Sequence, residues 1–181
     1  MLDKILIIRE KKKTKSQTLN NEAVEFTLNG KLTRVLIRPK DLLSEVLREK
    51  LGLMSAKIAC DEGTCGSCTV LLDGEPVYSC IVLGLDCNAK SVETLEGLSE
   101  DGQNLTPLQE SFLTTNSAQC GFCTPGMIMS AKSLLDKNSE PTREEVKVAL
   151  SGNVCRCTDY SRYINAVLLA AKKIRSKAPN A

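Results

Sequence analysis

Eight of the nine cysteines fall into two quartets of different spacing, and the chain of 181 residues has no histidine. Cys60, Cys65, Cys68 and Cys80 form the first quartet; Cys120, Cys123, Cys155 and Cys157 form the second. Each quartet has to be gathered to one point whatever else the chain does, so the fold is constrained to two metal-gathering units. Four thiolates without an imidazole suit an iron-sulfur cluster or a structural zinc ion. In a secreted chain nine cysteines would suggest disulfides. Here the ligand-like spacing and the lack of a signal-like N-terminus favour metal in a reducing compartment, and a cytoplasmic location is the expectation.

The first quartet opens as C-x4-C-x2-C, the start of the plant-type arrangement for a [2Fe-2S] cluster, and its fourth cysteine follows after eleven intervening residues. Gly63 and Gly66 inside the loop can take positive φ and turn backbone amides toward sulfur, which offsets cluster charge. Structural zinc more often pairs two C-x2-C knuckles, and this quartet has one. The second quartet combines Cys120-Gly121-Phe122-Cys123 with Cys155-Arg156-Cys157, 31 residues apart, and on spacing alone zinc and a cluster both remain open.

Around these cysteines the chain resembles the small iron-sulfur subunit of the molybdenum hydroxylases, the family of xanthine, aldehyde, nicotinate and carbon monoxide dehydrogenases. Three segments carry the resemblance in order: Cys60 to Val70 as C-x2-G-x-C-G-x-C-T-V, Gln119 to Gly126 as Q-C-G-F-C-T-P-G, and Gly152 to Thr158 as G-N-x-C-R-C-T. It extends over residues 22–175. It implies a plant-type [2Fe-2S] cluster on Cys60, Cys65, Cys68 and Cys80, and a second [2Fe-2S] cluster on Cys120, Cys123, Cys155 and Cys157. It also implies a molybdopterin cofactor in a large partner subunit, touched from this chain by Gln119 and Cys157, and FAD in a medium subunit. The assembly implied is a heterotrimer or a dimer of heterotrimers. Three positions depart from the family pattern: Ala56 and Ala59 stand where glycine is common ahead of the first cysteine, and Asp159 replaces the glycine of C-T-G-Y. Alanine tolerates positive φ poorly and aspartate tolerates it better, so the loop before Cys60 is expected to differ from its relatives.

The expected fold class is α+β, with an N-terminal β-grasp plant-type ferredoxin domain followed by a C-terminal four-helix-bundle [2Fe-2S] domain. Residues 1–20 read as a tail, 21–98 as the first domain and 99–181 as the second, with Glu93 to Asn104 as the linker. Val24, Phe26 and Leu28 alternate before Asn29-Gly30, and Asp73-Gly74 divides Val70–Leu72 from Val77–Tyr78, so two tight hairpins are predicted. A helix over Asp41 to Leu51 is predicted between them, stopped by Gly52. From Leu105 onward the apolar spacing is helical: Leu108 with Phe112, Ile128 with Ala131 and Leu135, Val146 with Leu150 behind a Thr142/Glu145 capping box, and Ala166, Val167 and Ala170.

The formal net charge of +2 describes the metal-free chain; two clusters with four thiolates each would bring it to roughly −2. That balance does not suggest nucleic-acid binding, and the apolar runs are too short to span a membrane. Lys11-Lys12-Lys13 with Lys15 read as a solvated basic run, with docking to an acidic partner as the sharper alternative. With no histidine, no phosphate-cradling glycine loop and no nucleophile paired with a base, nothing is left to convert an organic substrate. The reading is an electron-transfer subunit. A zinc-stabilised interaction module and a free-standing two-cluster ferredoxin are the alternatives. Cys87 reads as a buried inert thiol, with a redox or substitute-ligand role as its alternative. Phe122 and Tyr160 read as water shields rather than electron relays, and Arg156 either as a surface charge or as a group that offsets cluster charge or meets a partner.

Overall fold

In a computed structural model, which describes residues 21–99 and 104–177, the chain is a mixed five-stranded sheet followed by four helices. The basic run at Lys11–Lys15 lies outside the described residues. Strand β1 (Glu22–Leu28) turns into β2 (Lys31–Ile37) through Asn29 and Gly30, at φ 49° and 77°. Both central residues of this turn are left-handed, which matches the twist of the paired strands, and Asn-Gly supplies that conformation cheaply. Asp73 and Gly74, at φ 52° and 82°, repeat the device between β3 (Thr69–Leu72) and β4 (Glu75–Tyr78).

The alternation predicted for β1 and β2 places Val24, Phe26, Val35 and Ile37 on the buried face. They pack with Leu43, Val46 and Leu47 from the segment that crosses the sheet. That segment starts as helix α1 (Leu43–Glu45) and continues as a π-helical turn through Val46–Lys50, closed by Leu51 N–H donating to the Val46 carbonyl. Gly52, at φ 73°, ends it as its position suggested.

Strand β5 (Ser91–Glu93), not predicted from the sequence, ends at the first residue of the expected Glu93–Asn104 linker. It inserts between β1, to which it runs parallel, and β3, to which it is antiparallel, giving the order β2-β1-β5-β3-β4. Three residues are too few to show a period of two, so the strand was invisible in the sequence. A short 3-10 turn follows at Leu95–Gly97, and Leu95 and Leu98 pack against the helical core.

Helices α2 (Pro107–Thr114), α3 (Thr124–Lys137), α4 (Arg143–Leu150) and α5 (Tyr160–Lys177) bury Phe112, Met127, Ala131, Val146, Leu150, Val167 and Ala170 in a second core. The predicted Thr142/Glu145 capping box is present, and Thr106/Gln109 makes another at α2. Asp159 precedes α5 with a carboxylate oxygen accepting from Ser161 N–H at 2.8 Å, so the residue that departs from C-T-G-Y caps a helix rather than adopting positive φ. Neither Ala56 nor Ala59 adopts positive φ.

Helix α3 lies against β3 and β4 and joins the two cores. Ser133 Oγ donates to the Gly74 carbonyl at 2.8 Å, while Lys137 and Lys132 pair with Glu75 and Glu93 at 2.6 and 3.3 Å. Among the described residues no helix is long and apolar enough to cross a membrane.

Candidate metal centres

The first quartet is assembled by a loop and a hairpin. Cys60, Cys65 and Cys68 lie on the loop that runs into β3, and β4 returns to place Cys80 in a 3-10 turn at Ser79–Ile81. Ser79 fixes the closure: its amide and its hydroxyl both donate to the Cys68 carbonyl, at 3.3 and 2.8 Å. Gly63 and Gly66 have φ of 73° and 68°, as expected, and Asp61 joins them at 58°. The loop thereby turns amides inward. Thr64 N–H points at Cys60 Sγ, 3.4 Å away. The Thr64 side chain, then the amides of Glu62, Thr64 and Cys65, bring the Cys60 thiol down to about 5, so it ionises readily. Burial pushes Cys80 up to about 12, helped by the adjacent Cys68 thiol and opposed by the Gly63 amide.

The second quartet sits at helix ends. Cys120 lies in the turn before α3, Cys123 is the residue from which α3 starts, and Cys155 and Cys157 follow α4. Its sulfurs meet as pairs. Cys157 Sγ and Cys120 Sγ are 3.4 Å apart on the exposed side. Cys123 Sγ and Cys155 Sγ lie 3.3 and 3.2 Å from one atom, the hydroxyl of the buried Tyr163. Burial pushes Cys123 up to about 11 against the pull of that hydroxyl. Burial would also raise Cys155, but the Tyr163 hydroxyl and the amides of Thr158 and Cys157 leave it lowered. The Phe122 amide lowers Cys120, and Cys120 in turn raises Cys157. Burial, then the contacts to both sulfurs, raise Tyr163.

The donor chemistry fits a cluster at each quartet. Every group at both positions is a thiol or thiolate, and the second set meets two by two, which is what each iron of a [2Fe-2S] centre takes from its protein. Among the described residues no three His, Cys, Asp or Glu side chains converge on a single ion position. Next to Cys123, the Thr124 hydroxyl is buried without a partner, and the 14-residue helix α3 directs its N-terminus at this end of the chain, a favourable setting for an anionic group.

The two quartets are held together by groups to which the sequence assigned no bridging role. Val154 N–H donates to the Cys65 carbonyl at 2.8 Å, so the neighbour of a second-quartet cysteine is bonded to a member of the first. Asn153, fully buried, donates from Nδ2 to the Gly66 carbonyl at 2.8 Å and to Thr69 Oγ1 at 3.2 Å, and accepts from Ser130 Oγ at 2.7 Å. The Tyr78 hydroxyl donates to the Gly152 carbonyl at 2.9 Å. Three glycines make room: a Cβ at Gly126 would overlap the Gly66 carbonyl, one at Gly66 the Gly152 carbonyl, and one at Gly152 the Tyr78 hydroxyl. Gly126 and Gly152 stood in the motifs as bare glycines, but no spacing rule shows that they face another loop.

Gln119, Cys120, Phe122, Val154, Arg156 and Cys157 are all exposed at the outer rim of the second quartet. Tyr160, read as a water shield, works as a brace: its hydroxyl donates to the Asn153 carbonyl at 2.8 Å and accepts from Cys155 N–H at 3.0 Å. Cys87 is fully buried in the sheet core, where burial pushes its thiol up to about 11.

Comparison with known proteins agrees with this geometry. Residues 4–115 match the family described as a 2Fe-2S iron-sulfur cluster binding domain, and residues 94–168 match the [2Fe-2S] binding domain family. The nicotinate dehydrogenase small FeS subunit of Eubacterium barkeri is 45% identical over 86% of this chain and 98% of its own length. Among solved structures, quinoline 2-oxidoreductase from Pseudomonas putida 86 aligns with a TM-score of 0.82 at 42% identity, over 88% of this chain and 99% of the matched one. The aldehyde oxidoreductase of Desulfovibrio desulfuricans aligns with a TM-score of 0.83 at 45% identity, over 86% of this chain but 17% of that much longer one. Two quartets of cysteine, two matched cluster-binding segments and a relative of this identity along nearly its whole length lead to one assignment: the chain belongs to the family of small [2Fe-2S] subunits of the molybdenum hydroxylases.

Proposed function

We propose that this chain is the electron relay of a molybdenum hydroxylase, holding one [2Fe-2S] cluster on Cys60, Cys65, Cys68 and Cys80 and a second on Cys120, Cys123, Cys155 and Cys157. In this reading the sheet crossed by α1 is a β-grasp ferredoxin domain, residues 21–98, and the four helices are a cluster-binding bundle, residues 99–181. The observation that carries the proposal is the hydrogen bond from Val154 N–H to the Cys65 carbonyl, which joins the two sulfur sets by a short run of covalent bonds and one hydrogen bond. When bound, such clusters supply one-electron chemistry.

The chain's own residues then have distinct tasks. The loop amides around Cys60 stabilise thiolate at the first site. The rim at Gln119 and Cys157, with the apolar Phe122 and Val154 exposed beside it, is the surface offered to a large molybdopterin-binding subunit. A medium FAD-binding subunit would meet the side of the first quartet. A heterotrimer, alone or paired, in the cytoplasm is the assembly proposed. The substrate would be set by the large subunit.

The test is metal and sulfide analysis of anaerobically purified protein, followed by EPR after dithionite reduction. About four iron and four sulfide per chain with two distinguishable signals is the expected result. Stoichiometric zinc without a signal would overturn it in favour of a structural module. Two clusters in a chain that never co-purifies with a molybdenum-containing subunit would replace the relay with a free-standing ferredoxin.

A further inference from the structure

Tyr163 is the one phenol with its hydroxyl at a sulfur set. Tyr78 spends its hydroxyl on the Gly152 carbonyl and Tyr160 spends its own on Asn153. Tyr163 is 1% exposed and lies in the first turn of α5, so it is carried by a rigid element rather than a loop. Its ring is wedged between Phe112, at 5.9 Å between centroids and tilted 41°, and Tyr160, edge-on at 6.2 Å. The hydroxyl has Cys123 Sγ and Cys155 Sγ as hydrogen-bond partners, at 3.3 and 3.2 Å. Of these, Cys123 is buried and Cys155 half-buried, while the exposed pair, Cys120 and Cys157, meet each other instead.

We propose that Tyr163 is a positioning residue for electron transfer: its hydroxyl donates to the Cys123 and Cys155 sulfurs and makes the second centre easier to reduce than the protein fold alone would. A reduced cluster carries one more negative charge than an oxidised one, so a fixed proton donor at two of its sulfurs stabilises the reduced form more. The donor is preorganised and dry, so it costs little reordering when the charge arrives. The first quartet receives the Thr64 side chain and backbone amides but no phenol, so the bias from this donor is confined to the second site. Its consequence is directional: electrons entering at the second centre are held there more strongly, and the step onward to the first is less downhill than in a chain with an aliphatic or phenylalanine side chain at this position.

This inference rests on the proposed occupancy of the second quartet by a [2Fe-2S] cluster. The experiment is an EPR-monitored redox titration of the full chain, in its complex as purified, as parent and Tyr163→Phe. At a fixed ambient potential the reduced-to-oxidised ratio of the second centre should fall about five- to tenfold in Tyr163→Phe, where tenfold corresponds to about 59 mV for one electron. The first centre should move by less than twofold. A second-centre ratio within twofold of the parent, or equal shifts of both centres, would overturn the role. Resonance Raman supplies a readout that mere packing would not move: the iron–thiolate stretches of the parent should shift on exchange into D2O, and that shift should shrink in the variant.

If Tyr163→Phe fails to retain the second centre, site-specific 3-fluorotyrosine at 163 keeps the shape and strengthens the donor. A rise in the second centre's reduced fraction then supports the proposal, and no change overturns it. Absence of iron and sulfide from the parent protein would instead sink the relay reading itself, so the two failures are distinguishable.

Discussion

Asn153 Nδ2 reaches across 87 positions of sequence to donate to the Gly66 carbonyl at 2.8 Å, inside a junction closed to solvent. Its other side accepts from Ser130. Truncation by Asn153→Ala leaves the buried Ser130 hydroxyl without its partner, a penalty of about 1–3 kcal/mol, and takes one of three hydrogen bonds from the Gly66 carbonyl, which Thr69 N–H and Oγ1 still reach. The expected outcome is a loss of about 2–3 kcal/mol, seen as a melting temperature lower by roughly 5–10 °C. Unchanged melting of the holo-protein would show that the junction does not hold the two units together.

Gly126 sits in the first turn of α3, where alanine ordinarily gains up to ~1 kcal/mol over glycine. Here the added Cβ would meet the Gly66 carbonyl, which is backbone and cannot swing away. Gly126→Ala should therefore destabilise by about 1–3 kcal/mol, the usual cost of overpacking. The sign of the change in a thermal melt decides between close approach and ordinary helix propensity.

Asp41 is fully buried beneath Arg38 and Lys50, at 2.6 and 3.3 Å, and also accepts from Arg38 N–H at 2.9 Å. Burial works against its charge, but the Arg38 amide and guanidinium and the Lys50 ammonium leave its carboxyl below the usual range. A depressed folded-state value contributes stability above the unfolded value of about 3.9, and that contribution is lost as pH falls through the folded value. Asp41→Asn should cost about 2 kcal/mol at neutral pH. The gap between the parent and this variant should hold from pH 8 to pH 5 and close below about pH 4. Parallel far-UV CD melts of the two proteins measure it, since loss of cluster in acid is common to both.

On the proposed ligand sets, Cys60→Ser and Cys155→Ser should each remove one EPR signal and about half of the iron while leaving the other signal in place. Transfer to the physiological acceptor should fall at least a hundredfold in either. Retention of both signals in either variant would reassign that quartet.

The two hairpins were legible because Asn29-Gly30 and Asp73-Gly74 answer a demand of backbone geometry that few other residues meet. The helices were legible because their apolar spacing and the Thr142/Glu145 box repeat over several turns. Strand β5 was not, since Ser91–Glu93 is recruited by neighbours far away in sequence rather than by its own pattern. The same reason hid Asn153, Tyr78 and Tyr163. Each is chemically ordinary in its local segment, and each takes its part from a partner between 8 and 87 residues distant. The cysteines announced themselves; the groups that orient and bridge them did not.

The bond between Val154 and Cys65 runs from main chain to main chain, so it carries no record in side-chain identity. Nearly every amino acid at position 154 would preserve it, and proline alone lacks the hydrogen it requires. A lineage can therefore rewrite the exposed side chain at 154 to suit a new neighbour without cutting the bond beneath it. The link is inherited with the backbone, and the surface above it is free to drift.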